Sequence, residues 1–152
     1  MKIYIDTREK QSAISGIIQY FDKHDIEWER KTLKTGDYML DCKSNVVIDR
    51  KHSLSELAHN LLSHDKARFY REVRRAREDG IRLIVLCEES KIHNLEDVTK
   101  WTPRFGKISG RTLADAIFRL TISYGIDVYY CNKRSTGKRI IELLTEEPNE
   151  IG

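Results

Sequence analysis

Residues 81–87, Ile-Arg-Leu-Ile-Val-Leu-Cys, form a near-continuous apolar run without alternation. A run of this kind reads as a strand covered on both faces, which demands a sheet with helices on either side. The rest of the chain supplies such elements. Ile14, Ile17, Ile18 and Phe21 recur at helical spacing within residues 11–24. Ser53 is placed to cap a helix with Glu56 at the capping-box position, followed by Leu54, Leu57, Leu61 and Leu62 on an apolar stripe. Phe69, Val73 and Ala76 mark a helix over 65–79 that Asp79-Gly80 ends, and 111–124 and 136–145 are amphipathic. Strands are expected at 2–6, 27–33, 36–41, 46–51 and 126–131, with a hairpin turn at 42–45. Residues 90–110 read as loop with a short helix at 94–100. The order β-α-β-β-β-α-α-β-α-β-α predicts an α/β fold, a mixed sheet flanked by helices.

Length and composition narrow the possibilities. A chain of 152 residues fits one domain. Charged residues make up 34% and no apolar run reaches the length of a membrane span, so no membrane partner is expected. The charged start, Met1 to Lys10, has no apolar signal region, which points to an intracellular, cytoplasmic protein. Cys42, Cys87 and Cys131 are odd in number and widely spaced, fitting free thiols rather than a zinc site. Thr136-Gly137-Lys138 lacks the upstream glycine of a phosphate-binding loop, so no nucleotide cofactor is expected. The net charge of +3 is modest, but its distribution is not. Lys66, Arg68, Arg71, Arg74, Arg75 and Arg77 crowd one helix, and Arg104, Lys107 and Arg111 form a second basic patch. Both are candidates for contact with a polyanion, although a solvated basic face explains the first almost as well. The tail, 147–152, is acidic.

The chemistry is expected at Asp37, Asp49 and Lys51. Asp49 and Lys51 are two apart on one strand, hence on one face. If 36–41 and 46–51 pair as a hairpin, Asp37 lies close to both. Two neighbouring carboxylates repel unless a cation compensates, and a hard divalent ion does so with oxygen ligands. Such an ion activates water and stabilises charge on a phosphate. Asp6 closes the first strand and could deliver itself and Arg8 to the same place. Each residue alone reads as a turn or a solvated strand end; their convergence favours function.

These residues carry a resemblance. Gly36-Asp37-Tyr38, then Val47-Ile48-Asp49-Arg50-Lys51, then Leu54-Ser55-Glu56-Leu57 resemble the GDY…VERK…DL signature of XPF-type structure-specific endonucleases. Asp6-Thr7-Arg8-Glu9 resembles that family's D-x-R-E segment, Arg68 to Glu72 its G-R-L/F…Q-x-x-R helix, and Leu83–Cys87 its V-L-L-I-E strand. The resemblance spans nearly the whole chain, with residues 1–146 as the nuclease domain. It implies a restriction-endonuclease-like core that cleaves branched, flap, fork or junction DNA with Mg²⁺ or Mn²⁺. Asp37 and Asp49 would be metal ligands and Lys51 the catalytic lysine. Asp6, Arg8 and Arg50 would support them, with Glu9 behind. Lys66, Arg68, Arg71, Arg75, Arg104, Lys107 and Arg111 would contact DNA. A homodimer is implied, as is a short stand-alone bacterial or phage form, without a helix-hairpin-helix domain, acting in repair or recombination. The sequence departs from the signature at Asp49, where the family usually has glutamate. An inactive DNA- or partner-binding module on the same fold is the alternative, and a sequence-specific restriction-type enzyme a third reading. A dead relative would be expected to lose the GDY aspartate or the lysine, and this chain keeps both.

Overall fold

A computed structural model describes residues 1–104 and 106–146; the acidic tail expected at 147–152 lies outside them. Six strands make one mixed sheet in the order β2-β1-β3-β4-β5-β6. They are Lys2–Ile5 (β1), Glu27–Arg30 (β2), Tyr38–Leu40 (β3), Lys43–Lys51 (β4), Arg82–Glu88 (β5) and Asp127–Cys131 (β6). β1 runs parallel to β2 and antiparallel to β3, β3 is antiparallel to β4, and β4, β5 and β6 are mutually parallel. The C-terminal ends of β1, β4, β5 and β6 and the start of β3 therefore share one sheet edge.

The central strands are buried on both sides. Val47, Leu83, Val85 and Cys87 pack against Leu54–Leu62 (α2), Lys66–Glu78 (α3), Leu95–Thr99 (α4) and Gly110–Tyr124 (α5). Val46, Ile48, Ile84 and Leu86 face the other way, onto Ser15–Lys23 (α1) and Thr136–Thr145 (α6). β5 has no polar face because both of its faces are covered. The Ser53 hydroxyl accepts the Glu56 N–H at 3.1 Å, while the Glu56 carboxylate reaches the N–H of His52 rather than of Ser53.

Several boundaries differ from expectation, two of them for a plain local reason. β2 stops at Arg30 instead of Leu33, because the Leu33 N–H donates to the Asp6 carboxylate at 2.8 Å. The hairpin turn is Asp41-Cys42 instead of 42–45, since Leu40 already pairs with Lys43. The surplus residues of β4 are taken up by an irregularity between Tyr38 and Leu40.

Candidate active site

The shared sheet edge collects the acids. Asp37 directly precedes β3 and is held on both sides: its N–H donates to Ile48 O at 2.7 Å and its carbonyl accepts the Asp6 N–H at 2.8 Å. The chain reaches it through Gly36, whose φ is +77°; a Cβ there would also lie 2.9 Å from the Val47 side chain. Tyr38 pairs with Ile48, and the Asp37 carboxylate just before it accepts the Arg50 N–H of β4, which brings it beside Asp49 at the same cleft.

Asp49 and Lys51 project on the α2–α3 side, as their spacing predicts. Lys51 Nζ lies 3.1 Å from Asp49 Oδ1 and 5.0 Å from the centre of the Phe69 ring. Burial alone would push the lysine down, but Asp49, Glu56 and Asp37 outweigh it and hold its ammonium above the usual range. Asp37 is the reverse case. Burial, then the charges of Asp49 and Glu9, push its carboxyl well above the ordinary carboxylate range, against the Arg50 N–H that donates to Oδ2 at 2.8 Å.

Arg50 lies between these two on β4 and so points to the opposite face. It forms a two-pronged pair with Glu9, at 2.7 and 2.9 Å, and meets Glu88 at 2.5 Å. Glu88 in turn accepts from the Thr136 hydroxyl at 2.5 Å, tying α6 to this network. Asp6 is fully buried. Its carboxylate accepts from Leu33 N, from Arg8 N at 3.2 Å and from Arg8 Nε at 2.7 Å. Burial would raise Asp6, but those bonds and the Arg8 charge bring it below the ordinary range. Arg30 donates to the carbonyls of Asp6, Thr7 and Glu9, fixing the same loop.

An open cleft of about 600 Å³ lies over this edge. Asp37, Asp49, Lys51, Arg50 and Arg8 line it, and α3 contributes Arg68, Arg71 and Arg75 from its far side. Of the residues expected from the sequence, Asp6 sits behind the wall, in contact with Arg8. Lys66 falls on the other flank of α3. Arg104, Lys107 and Arg111 are exposed between α4 and the first turn of α5, and none lines the cleft.

Sequence reasoning missed Glu72, Glu88, Thr136 and Arg30. Glu72 lines the cleft, and its carboxylate accepts the Gly36 N–H at 3.1 Å. Burial first, then Asp49, raises its carboxyl, against the Gly36 N–H, Lys51 and Arg75. A signal existed: Glu72 is the only acid among residues 66–77 and sits one turn from Arg68. Glu88, Thr136 and Arg30 carried no such signal.

The donor set fits a hard divalent cation. Asp49 Oδ2 is buried without a hydrogen-bond partner. The raised Asp37 carboxyl beside it marks a place short of positive charge. Among the described residues no group of three or more His, Cys, Asp or Glu forms a metal cluster. Asp37 and Asp49 would hold the cation, and one or two carboxylates suit Mg²⁺, which keeps water and substrate oxygens in its shell.

Comparison with known proteins finds relatives in both sequence and fold. The 3'-flap repair endonuclease Xpf of Saccharolobus solfataricus is 26% identical over 148 residues, 97% of this chain and 55% of that protein. XPF from Aeropyrum pernix shares the fold with a TM-score of 0.70 at 21% identity, over 95% of this chain and 63% of that one. The same protein in complex with DNA gives a TM-score of 0.70 at 22% identity, over 94% and 62%. This chain therefore spans less than two thirds of these relatives. The ERCC4 domain model matches residues 5–144, from the end of β1 through nearly all of α6. With the GDY and D-R-K segments paired across β3 and β4 inside that span, the chain belongs to the ERCC4 domain family.

Proposed function

We propose that the protein is a metal-dependent endonuclease that hydrolyses phosphodiester bonds in branched DNA. The observation that carries this reading is the convergence of Asp37 and Asp49 in one cleft, with Lys51 bonded to Asp49, beneath a row of arginines. Asp37 and Asp49 hold Mg²⁺ or Mn²⁺, which when bound supplies Lewis acidity and a water of lowered pKa. Lys51, kept charged by its carboxylate neighbours, holds a phosphate oxygen or the attacking water by a short, fixed reach. Arg8, Arg68, Arg71 and Arg75 grip the phosphates on either side by charge. Glu72 and Asp6 fix the backbone at Gly36 and Asp37 from two directions. Asp49 has a shorter side chain than the glutamate usual at this position, so its carboxylate lies closer to β4.

The preference for flaps, forks or junctions is supported by the Saccharolobus relative, a 3'-flap repair endonuclease, and by the open, one-sided cleft. Homodimerisation is proposed through α5, where Phe118 and Ile122 stand one turn apart and are 54% and 68% exposed. A reducing, intracellular setting suits three cysteines that form no bridge. No helix among the described residues is long and apolar enough to cross a membrane. The alternative of an inactive module finds no support in a site that keeps both acids and the lysine.

The test is a panel of end-labelled single-stranded, duplex, flap, fork and four-way DNAs, with and without Mn²⁺. The proposal predicts metal-dependent cuts near the branch. Absence of cleavage on every substrate, with folded protein and bound DNA, would contradict it.

A further inference from the structure

α3 carries two basic flanks, not one. At 100° per residue, Phe69, Val73 and Ala76 fall on the stripe that faces the core. Arg68, Arg71 and Arg75 fall on one side of that stripe and line the catalytic cleft. Lys66, Tyr70 and Arg74 recur every four residues on the opposite side. There they border a separate groove of about 570 Å³ between α2, α3 and α5.

The chemistry of this groove differs from that of the cleft. Lys66, Arg74 and Arg119 give it three cations, and among the described residues no carboxylate lines it. The three are exposed, so their charges face solvent at the rim. Its floor holds the half-buried rings of Tyr70 and Tyr124, with centroids 5.3 Å apart. Cations around an aromatic floor suit a polyanion that also offers flat faces. Nucleic acid does so, and only unpaired bases expose a face to stack.

We infer that the α2–α3–α5 groove is a second nucleic-acid site that takes a single-stranded arm, its bases against Tyr70 and Tyr124 and its phosphates on Arg74, Arg119 and Lys66. This rests on the nuclease reading for the nature of the ligand, and it adds a division of labour to it. α3 becomes a divider, with backbone-gripping arginines over the scissile strand on one flank and a stacking groove on the other. A branched substrate, whose strands diverge, would occupy both flanks at once; a plain duplex would occupy one.

The test measures fluorescence anisotropy of a labelled oligothymidylate and of a blunt duplex, with EDTA present to prevent cleavage. Arg74→Ala/Arg119→Ala alters exposed side chains only and should leave the fold intact. It should weaken oligothymidylate binding roughly tenfold and flatten its salt dependence by about 0.7 for each phosphate no longer neutralised. Tyr124→Ala should weaken the single strand by a similar factor, roughly tenfold, and Tyr124→Phe should restore it, since stacking needs the ring and not the hydroxyl. Loss on the blunt duplex should be much smaller. Single-strand affinity within about twofold of wild type in both alanine variants would overturn the inference, whether or not the groove then proves to bind an acidic peptide. If those variants are unaffected while wild type still cleaves DNA, only the groove assignment falls. If wild type binds no DNA of any form, the nuclease reading falls with it.

Discussion

Asp6, buried, and Asp37, half-buried, are acids on one sheet edge, joined by a backbone hydrogen bond, yet they are held in opposite ways. Asp6 is surrounded by donors, from Leu33 and three times from Arg8, and its carboxyl is lowered. Asp37 receives the Arg50 N–H but faces Asp49 and Glu9, and its carboxyl is raised. Arg50 extends the contrast: its guanidinium meets Glu9 twice and Glu88 once, while the neighbouring Asp49 Oδ2 meets nothing. The saturated group fixes a loop. The unsaturated pair leaves room for a cation, which is the physical difference between scaffold and site here.

Breaking the saturated region should cost the most. Arg50→Ala leaves Glu9 and Glu88 buried without a counter-charge, and urea unfolding should show a loss of about 3–5 kcal/mol. A loss below about 1 kcal/mol would mean the network is not what secures this edge. Asp6→Ala should cost about 2 kcal/mol, the scale of losing hydrogen bonds to a charged acceptor; Arg8 is largely exposed and adds little. Asp6 also sets a pH window. Its folded-state carboxyl is lowered, so its contribution is present above the ordinary carboxylate range and is lost as the pH falls through the lowered value. In Asp6→Ala that acid-side loss of stability should be smaller than in wild type.

The unsaturated region should titrate with the other sign. With its carboxyl raised, folded Asp37 binds a proton more tightly than the unfolded chain does. The metal-free protein should therefore lose stability as pH rises from the ordinary carboxylate range to the raised value. Asp37→Asn should abolish that part of the slope and leave the protein more stable at neutral pH. Added Mn²⁺ should stabilise wild type by roughly 1.4 kcal/mol at ten times its dissociation constant, or about 3–6 °C in Tm. Asp37→Asn should show no such shift. Equal metal-induced shifts in both proteins would place the cation elsewhere.

Some of this was legible in the sequence. Period 2 put Asp49 and Lys51 on one face, and the hairpin across Asp41-Cys42 brought Asp37 into the same cleft. The apolar run ending at Cys87 marked the covered central strand. Less legible was anything that depends on partners distant in the chain. Thr136 meets Glu88 across 48 positions and Arg30 meets the 6–9 loop across more than 20, with no spacing to announce either. β2 ends short of its expected bound because Leu33 bonds to a side chain rather than to a strand. Lys66 lies on the flank of α3 away from the cleft, since a basic helix with cations all round does not reveal which side faces the site. Arg104, Lys107 and Arg111 group together by composition, and composition does not position a loop.

The most direct test of the account is single-turnover cleavage of a labelled flap DNA in Mn²⁺ by wild type, Asp37→Asn and Lys51→Ala, with binding measured in parallel. The account predicts that each variant cuts about 10³-fold more slowly or worse, about 4 kcal/mol in barrier height, while still binding the flap. Cleavage by Asp37→Asn at the wild-type rate would show that the Asp37–Asp49 pair is not where the chemistry happens.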